Sequence, residues 1–297
     1  MAGPQKPTLD ALLADLAAER DDLRQVLGPL DADGWAAPTP AEPWTVRDQV
    51  VHLGYFDRVA TLPATDPAGF EAELRSALAD YQTYMRDHLE DGPPPGGDVI
   101  GYWARGAAGF DRAYRDLDPA SRLSWFAVQM SARSMVTARL TETWTHGQDV
   151  CDGLGVSRVP TARLRHIAHL AVRARPYGWV VRDRQPPAEP IRVELTAPDG
   201  SIWTFEPEGS QYVQGSALDF CLVLNQRRHV DDTGLVAHGA DAQEWLLIGQ
   251  AFAGPPGPGR RPGQFAGHRR IDSPIDSRID SRIDSGIASG ATNGSDH

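Results

Sequence analysis

The chain has 297 residues, of which 41% are hydrophobic and 23% charged, the balance of a globular protein rather than a disordered one. Its 40 acidic and 29 basic residues give a formal charge of −11, which disfavours nonspecific binding to nucleic acid or anionic membrane. No apolar run approaches the ~20 residues needed to span a bilayer, and the length predicts two domains. The first residues, MAGPQKPTLD, carry no apolar core behind Lys6, so no secretory signal is expected. Two cysteines, Cys151 and Cys221, make no disulfide framework, and a cytoplasmic location is expected. Lys6 is the only lysine; arginine supplies the other basic residues, a skew that suggests a GC-rich genome.

In chain order, residues 8–30 read as an amphipathic helix, with Leu9, Leu12, Leu13, Leu16, Leu23 and Leu27 at three- and four-residue steps. A second helix starts at Thr45, where Asp48 completes a capping box and Trp44 offers a hydrophobic staple. Helical patterns follow at about 69–90 and 98–117, parted by the GPPPGG run. A last helix of this half runs from about Ser131 to Gly153. Nothing in residues 1–155 reads as a strand, so this half is expected to be a helix bundle.

The second half, 156–253, is expected to be a small α+β domain. Residues 161–176 are helical. Ile191–Thr196 and Ile202–Phe205 alternate apolar and polar residues around Ala197-Pro198-Asp199-Gly200, a hairpin signal. Gly215–Asn225 and Asp241–Phe252 read as helices, and Gln185–Pro190 as a loop. From Gly254 the chain turns Gly/Pro-rich and then repeats Ile-Asp-Ser, so residues 254–297 are expected to be a disordered tail. The repeat's aspartates have no Gly-rich loop scaffold for Ca²⁺.

Nucleophile-elbow, phosphate-loop, dinucleotide, C-x-x-C and H-E-x-x-H motifs are absent. What remains is a set of metal-ligand types on two predicted helices. Glu142 and His146 lie at i and i+4, on one helical face. Arg139 and Asp149 extend the same stripe, an accumulation of charge that a buried helix must compensate. His52 sits among Val50, Val51, Leu53 and Phe56 on the helix that begins at Thr45. Two imidazoles and one carboxylate, with positions left open, form the donor set of a catalytic zinc or related divalent ion. Each part also has a plain reading: a hydrogen-bonded Glu–His pair and a satisfied core histidine. Cys151 falls about 140° round the helix from His146 and is a poor fourth ligand. Cys221 reads as core. His166 and His169 share a helix crowded by Arg163, Arg165 and Arg173, which would repel a cation. Trp125, Phe126 and Met130 read as bundle core or pocket wall.

The segments Trp44-Thr45-Val46-Arg47-Asp48-Gln49-Val50-Val51-His52-Leu53 and Glu142-Thr143-Trp144-Thr145-His146-Gly147-Gln148-Asp149-Val150 resemble the two signatures of the mycothiol-dependent maleylpyruvate isomerase family. That family belongs to the DinB-like superfamily of metal-binding four-helix bundles, and the resemblance covers roughly residues 8–155. It implies an up-and-down helix bundle followed by a smaller α+β domain. It implies a divalent metal, zinc first, held by His52, Glu142 and His146, and mycothiol as the thiol cofactor. The metal would hold the thiol as thiolate for attack on an electrophilic carbon. In an isomerase, addition to a conjugated double bond permits rotation and elimination returns the thiol; in a transferase, the adduct leaves. The thiol belongs to actinobacteria, whose GC-rich genomes fit the arginine skew. The family also uses an arginine of the C-terminal domain near the substrate carboxylates, for which Arg227 and Arg228 are the candidates. The sequence around them departs from the family pattern, which leaves the substrate open.

Three functions follow. The first is a metal-dependent isomerase or thiol transferase acting on a small electrophile. The second is a metal-dependent hydrolase on the same scaffold, and the third a non-enzymatic metal-binding or regulatory protein. The expected partners are the thiol and the small substrate, with no nucleic acid or membrane.

Overall fold

The computed structural model describes residues 7–94, 97–126 and 128–265. Its first helix, α1 (Leu9–Leu27), is capped by Thr8 and buries Leu9, Leu12, Leu16, Leu23 and Leu27. A short α2 (Ala32–Ala36) leads to α3 (Val46–Thr65). The capping box holds: Thr45 accepts from the Asp48 amide while the Asp48 carboxylate accepts from the Thr45 amide. The pattern expected as one helix at 69–90 is two, α4 (Pro67–Ala79) and α5 (Tyr81–Glu90). Asp80 ends the first and caps the second by accepting from the Thr83 amide. Next come α6 (Val99–Tyr114), capped by Asp98, and α7 (Ala132–Leu154), capped by Ser131 and closed by Gly155 at φ 67°.

Helix α1 packs on α7, α7 on α3, α3 on α6, and α6 back on α1, which closes a four-helix bundle. Helices α3 and α6 approach closely because both carry glycine at the crossing. A Cβ on Gly106 would lie 2.5 Å from the carbonyl oxygen of Gly54. The expectation that residues 1–155 hold no strand is corrected here. Arg122–Trp125 (β1) and Val128–Ser131 (β2) pair antiparallel as a hairpin before α7. Four-residue strands with mixed exposure carry too little alternation to announce themselves. Trp125 and Phe126 pack against Phe70, and Trp125 and Met130 also border the main hydrophobic core.

Beyond α7 lie α8 (Leu164–Arg173), α9 (Tyr177–Val180), β3 (Ile191–Thr196), β4 (Ile202–Phe205), β5 (Gln211–Ser216), α10 (Ala217–Leu224), a 3₁₀ turn at Val230–Asp232, β6 (Val236–His238) and α11 (Ala240–Ile248). The sheet order is β4-β3-β5-β6. The expected β3–β4 hairpin is present, with Leu195 opposite Trp203. Strand β5, unforeseen, runs parallel to β3 and feeds α10. Helix α8 joins the two halves: it packs on α7 and α10, and one hydrophobic core runs from Leu12 and Leu140 through Ile167 to Val193 and Phe220. This is a helix-rich N-terminal region with a smaller C-terminal α+β region.

Among the described residues, no helix is long and apolar enough to cross a membrane. Residues 254–265 carry no helix or strand, but the segment is held at several points. Arg260 bonds Asp149, Gly263 donates to Asp232, and Phe265 lies under the Arg228 guanidinium. The Ile-Asp-Ser repeat lies outside the described residues.

Candidate metal centre

Helices α3 and α7 cross so that His52 meets the Glu142–His146 pair. One ligand atom from each of the three lies within 4.8 Å of the others. His146 Nε2 is 3.2 Å from Glu142 Oε2, and His52 Nε2 is 3.9 Å from the same oxygen. Both imidazoles are buried, whereas the Glu142 side chain is 29% exposed, so the cluster opens at its carboxylate. Trp44 roofs it, stacked on His146 at 5.9 Å and tilted against His52 at 4.9 Å. Phe56 closes the far side of His52 at 4.6 Å.

A hydrogen-bond chain fixes the His146 ring. The Thr39 hydroxyl donates to the Trp44 carbonyl, so Thr39 Oγ1 accepts from the Gln49 amide nitrogen. The Gln49 amide oxygen therefore faces His146 Nδ1, at 2.6 Å, and Nδ1 carries a proton. A neutral His146 then has a bare Nε2 facing a carboxylate oxygen at 3.2 Å. Two acceptors at that distance need a cation between them, either a proton on Nε2 or a metal ion. The donor set, two imidazole nitrogens and a carboxylate, fits a divalent ion.

Two of the three groups are held in the form a metal ligand takes. Burial above all pushes His52 well below the ordinary histidine value, so it stays neutral. Burial alone would raise the Glu142 carboxyl. The hydrogen bond with His146, the nearby His52 ring and the charge of Arg139 outweigh it and hold the group well below the usual carboxylate range. A neutral imidazole and an ionised carboxylate are the forms that bind metal.

The rest of the polar stripe on α7 goes elsewhere. Arg139 donates to Asp57, which also accepts from Arg20 and Trp103. Asp149 turns away from the cluster and is gripped by Arg227 and Arg260. Arg228 binds Asp152 through both terminal nitrogens at 2.7 Å. The two candidate arginines thus sit against the C-terminal end of α7, each oriented by a carboxylate. Arg227 also lines a groove of about 410 Å³ with Pro40, Glu42, Gln226 and Arg260.

His166 bonds Asp15 at 2.8 Å. Cys151 and Cys221 are buried and free, and burial pushes the Cys151 thiol up to about 11. One residue of the centre escaped the sequence reading. His88 on α5 is 2% exposed, and its Nε2 lies 3.0 Å from His52 Nδ1. A lone histidine on a charged, half-exposed helix gives no periodic signal that it points inward.

Residues 16–151 match the family described as Mycothiol maleylpyruvate isomerase N-terminal domain. Two uncharacterised proteins of Mycobacterium tuberculosis, from strains CDC 1551 / Oshkosh and ATCC 25618 / H37Rv, are each 45% identical to the chain over 250 residues. Each alignment covers 84% of this chain and 97% of the relative. The chain belongs to the mycothiol maleylpyruvate isomerase family. Two crystal structures of the mycothiol-dependent maleylpyruvate isomerase, one of them a mutant, superpose with a TM-score of 0.52 at 14% identity. They cover 80% of this chain and 96% of theirs, a likeness of fold. The family match spans α3 and nearly all of α7, so it contains all three residues of the cluster.

Proposed function

We propose that this chain is a divalent-metal enzyme that uses mycothiol on a small electrophilic substrate, as an isomerase or a thiol transferase. The carrying observation is His146 Nε2, its ring fixed by Gln49, facing Glu142 beside His52, in a chain of this family. His52, Glu142 and His146 are the proposed ligands, with zinc the first choice for two nitrogens and one oxygen that leave positions open. A bound divalent ion would supply Lewis acidity that favours a thiolate over a thiol near neutral pH.

The chain's own residues do the remaining work. Gln49 holds His146 in one tautomer, and Trp44 and Phe56 keep water from the imidazole side. The exposed edge of Glu142 marks the side from which thiol and substrate enter. Neither buried cysteine is the thiol, because Cys151 is held protonated and Cys221 still more so. The reaction therefore takes its thiol from solution, which favours a thiol cofactor over an enzyme nucleophile. Arg227 and Arg228 are the proposed substrate-side residues, with Asp149 and Asp152 setting their orientation. A cytoplasmic location suits a thiol cofactor.

The test is metal analysis of the purified full chain followed by titration with mycothiol. One divalent ion per chain, lost in His52→Ala and in His146→Ala, with mycothiol binding only to the loaded protein, is the expected result. Metal binding with activity indifferent to thiol would make the hydrolase the better reading.

A further inference from the structure

His88 lies outside the three proposed ligands, and its imidazole completes a second hydrogen-bonded pair with His52. Which ring carries the shared proton follows from what surrounds the other nitrogens. His88 Nδ1 is sealed from solvent and makes no well-formed hydrogen bond. The backbone carbonyls of Tyr84 and Met85, one turn earlier on its own helix, act on the His88 ring, and with Nε2 turned to His52 the nitrogen on their side is Nδ1. A lone pair aimed at carbonyl oxygens is unfavourable, whereas an N–H there is favoured. The proton of neutral His88 therefore sits on Nδ1, and Nε2 is left as an acceptor.

At 3.0 Å that acceptor faces His52 Nδ1, which must then be the donor. His52 Nε2 is left bare, turned toward Glu142, which His146 Nε2 also faces. The opposite arrangement puts a proton on His52 Nε2, where the nearest carboxylate oxygen is 3.9 Å away, too far for a hydrogen bond. The surroundings leave the pair little freedom to choose otherwise. Trp44, Tyr55 and Phe56 pack round both rings and exclude water from the shared proton.

We propose that His88 is a positioning residue: by accepting the Nδ1 proton of His52 it fixes the tautomer and ring angle that present His52 Nε2 to the metal. Gln49 does the same for His146 through its amide oxygen, so each imidazole ligand has its own buried acceptor on a different part of the chain. The inference rests on the metal reading for one of its two readouts only.

The first readout needs no metal. Long-range ¹H–¹⁵N spectra of the labelled metal-free chain, at about pH 8 where histidines are neutral, report the tautomer of each ring. The His52 signals are those missing in His52→Gln. The expected result is the Nδ1–H form in the native chain, kept in His88→Gln, whose amide oxygen can still accept, and lost to a mixture in His88→Leu. The second readout is Co²⁺ affinity of the full chain. His88→Leu is expected to weaken it about 10–100-fold, with His88→Gln close to native. An Nε2–H tautomer of His52 in the native chain overturns the proposal. So does a folded His88→Leu chain with native tautomer and native Co²⁺ affinity. If His88→Leu does not fold, the native tautomer and His88→Gln decide. A native chain that binds no Co²⁺ defeats the metal reading, while the tautomer still decides the role of His88.

Discussion

Two buried clusters of charge lie one turn apart on α7, and they are built on opposite plans. In the first, the fully buried carboxylate of Asp57 accepts from Arg20, Arg139 and Trp103, and Arg20 goes on to Asp111. Two guanidiniums and an indole N–H converge on one carboxylate, and the atom left without a partner is a donor, Arg20 Nε, which offers a cation nothing. In the second, the outer nitrogens of His52 and His146 are tied to His88 and Gln49, while their inner nitrogens converge on one carboxylate. The same helix thus carries a closed network that holds the bundle and an open one that calls for a cation. Polarity alone does not separate a structural cluster from a functional one; the direction of the unsatisfied lone pairs does.

Breaking the closed network should cost the most stability. Asp57→Ala takes the carboxylate from buried Arg139 and leaves Arg20 with Asp111 alone, and a loss of about 3–5 kcal/mol is expected in urea unfolding of the metal-free chain. A smaller loss than that of His146→Ala would dissolve the contrast. Breaking the open network should cost metal instead. Glu142→Gln keeps shape and removes charge at a partly exposed position, so metal-free stability should stay within about 1 kcal/mol. Its Co²⁺ affinity should fall by two orders of magnitude or more, on the order of 3 kcal/mol.

Acid should find the open network first. His52 and His88 are held neutral, His88 down to about 4 by burial, while an unfolded chain protonates near 6.5. Protons then favour the unfolded state, so metal-free stability is complete above about pH 6.5 and falls between there and about 4. The slope from His88 alone approaches ~1.4 kcal/mol per pH unit. Glu142, whose carboxyl is also held down, adds a further loss as the pH falls through the ordinary carboxylate range. His88→Gln should flatten the upper window, measured as unfolding midpoint against pH. The smallest effect belongs to Arg260→Ala. Asp149 keeps Arg227, so a loss of only about 1 kcal/mol is expected. A loss as large as that of Asp57→Ala would make the segment after α11 part of the bundle's main support.

Much of this arrangement was legible in the sequence. The i, i+4 spacing of Glu142 and His146 placed both on one face, and the capping box at Thr45 set the phase of α3 that points His52 inward. What spacing could not supply was the meeting of α3 with α7, which depends on the glycines at the α3–α6 crossing and on the shared core. His88 was hidden because the contact that places it, with His52, lies 36 residues away. The β1–β2 hairpin and β5 were missed because short strands with mixed burial carry little period. Asp149 read as part of the metal stripe because i+3 spacing ignores a competing arginine from another region, and Arg227 and Arg260 are that competition.

The central claim is that the open network holds one divalent metal. Equilibrium dialysis of the native chain against Co²⁺, with metal counted per chain and the visible spectrum recorded before and after mycothiol, tests it most directly. One Co²⁺ per chain is expected, abolished in Glu142→Gln or His146→Ala, with a sulfur-to-metal absorption band when the thiol is added. A native chain that takes up no metal, or takes it up equally in both variants, would contradict it.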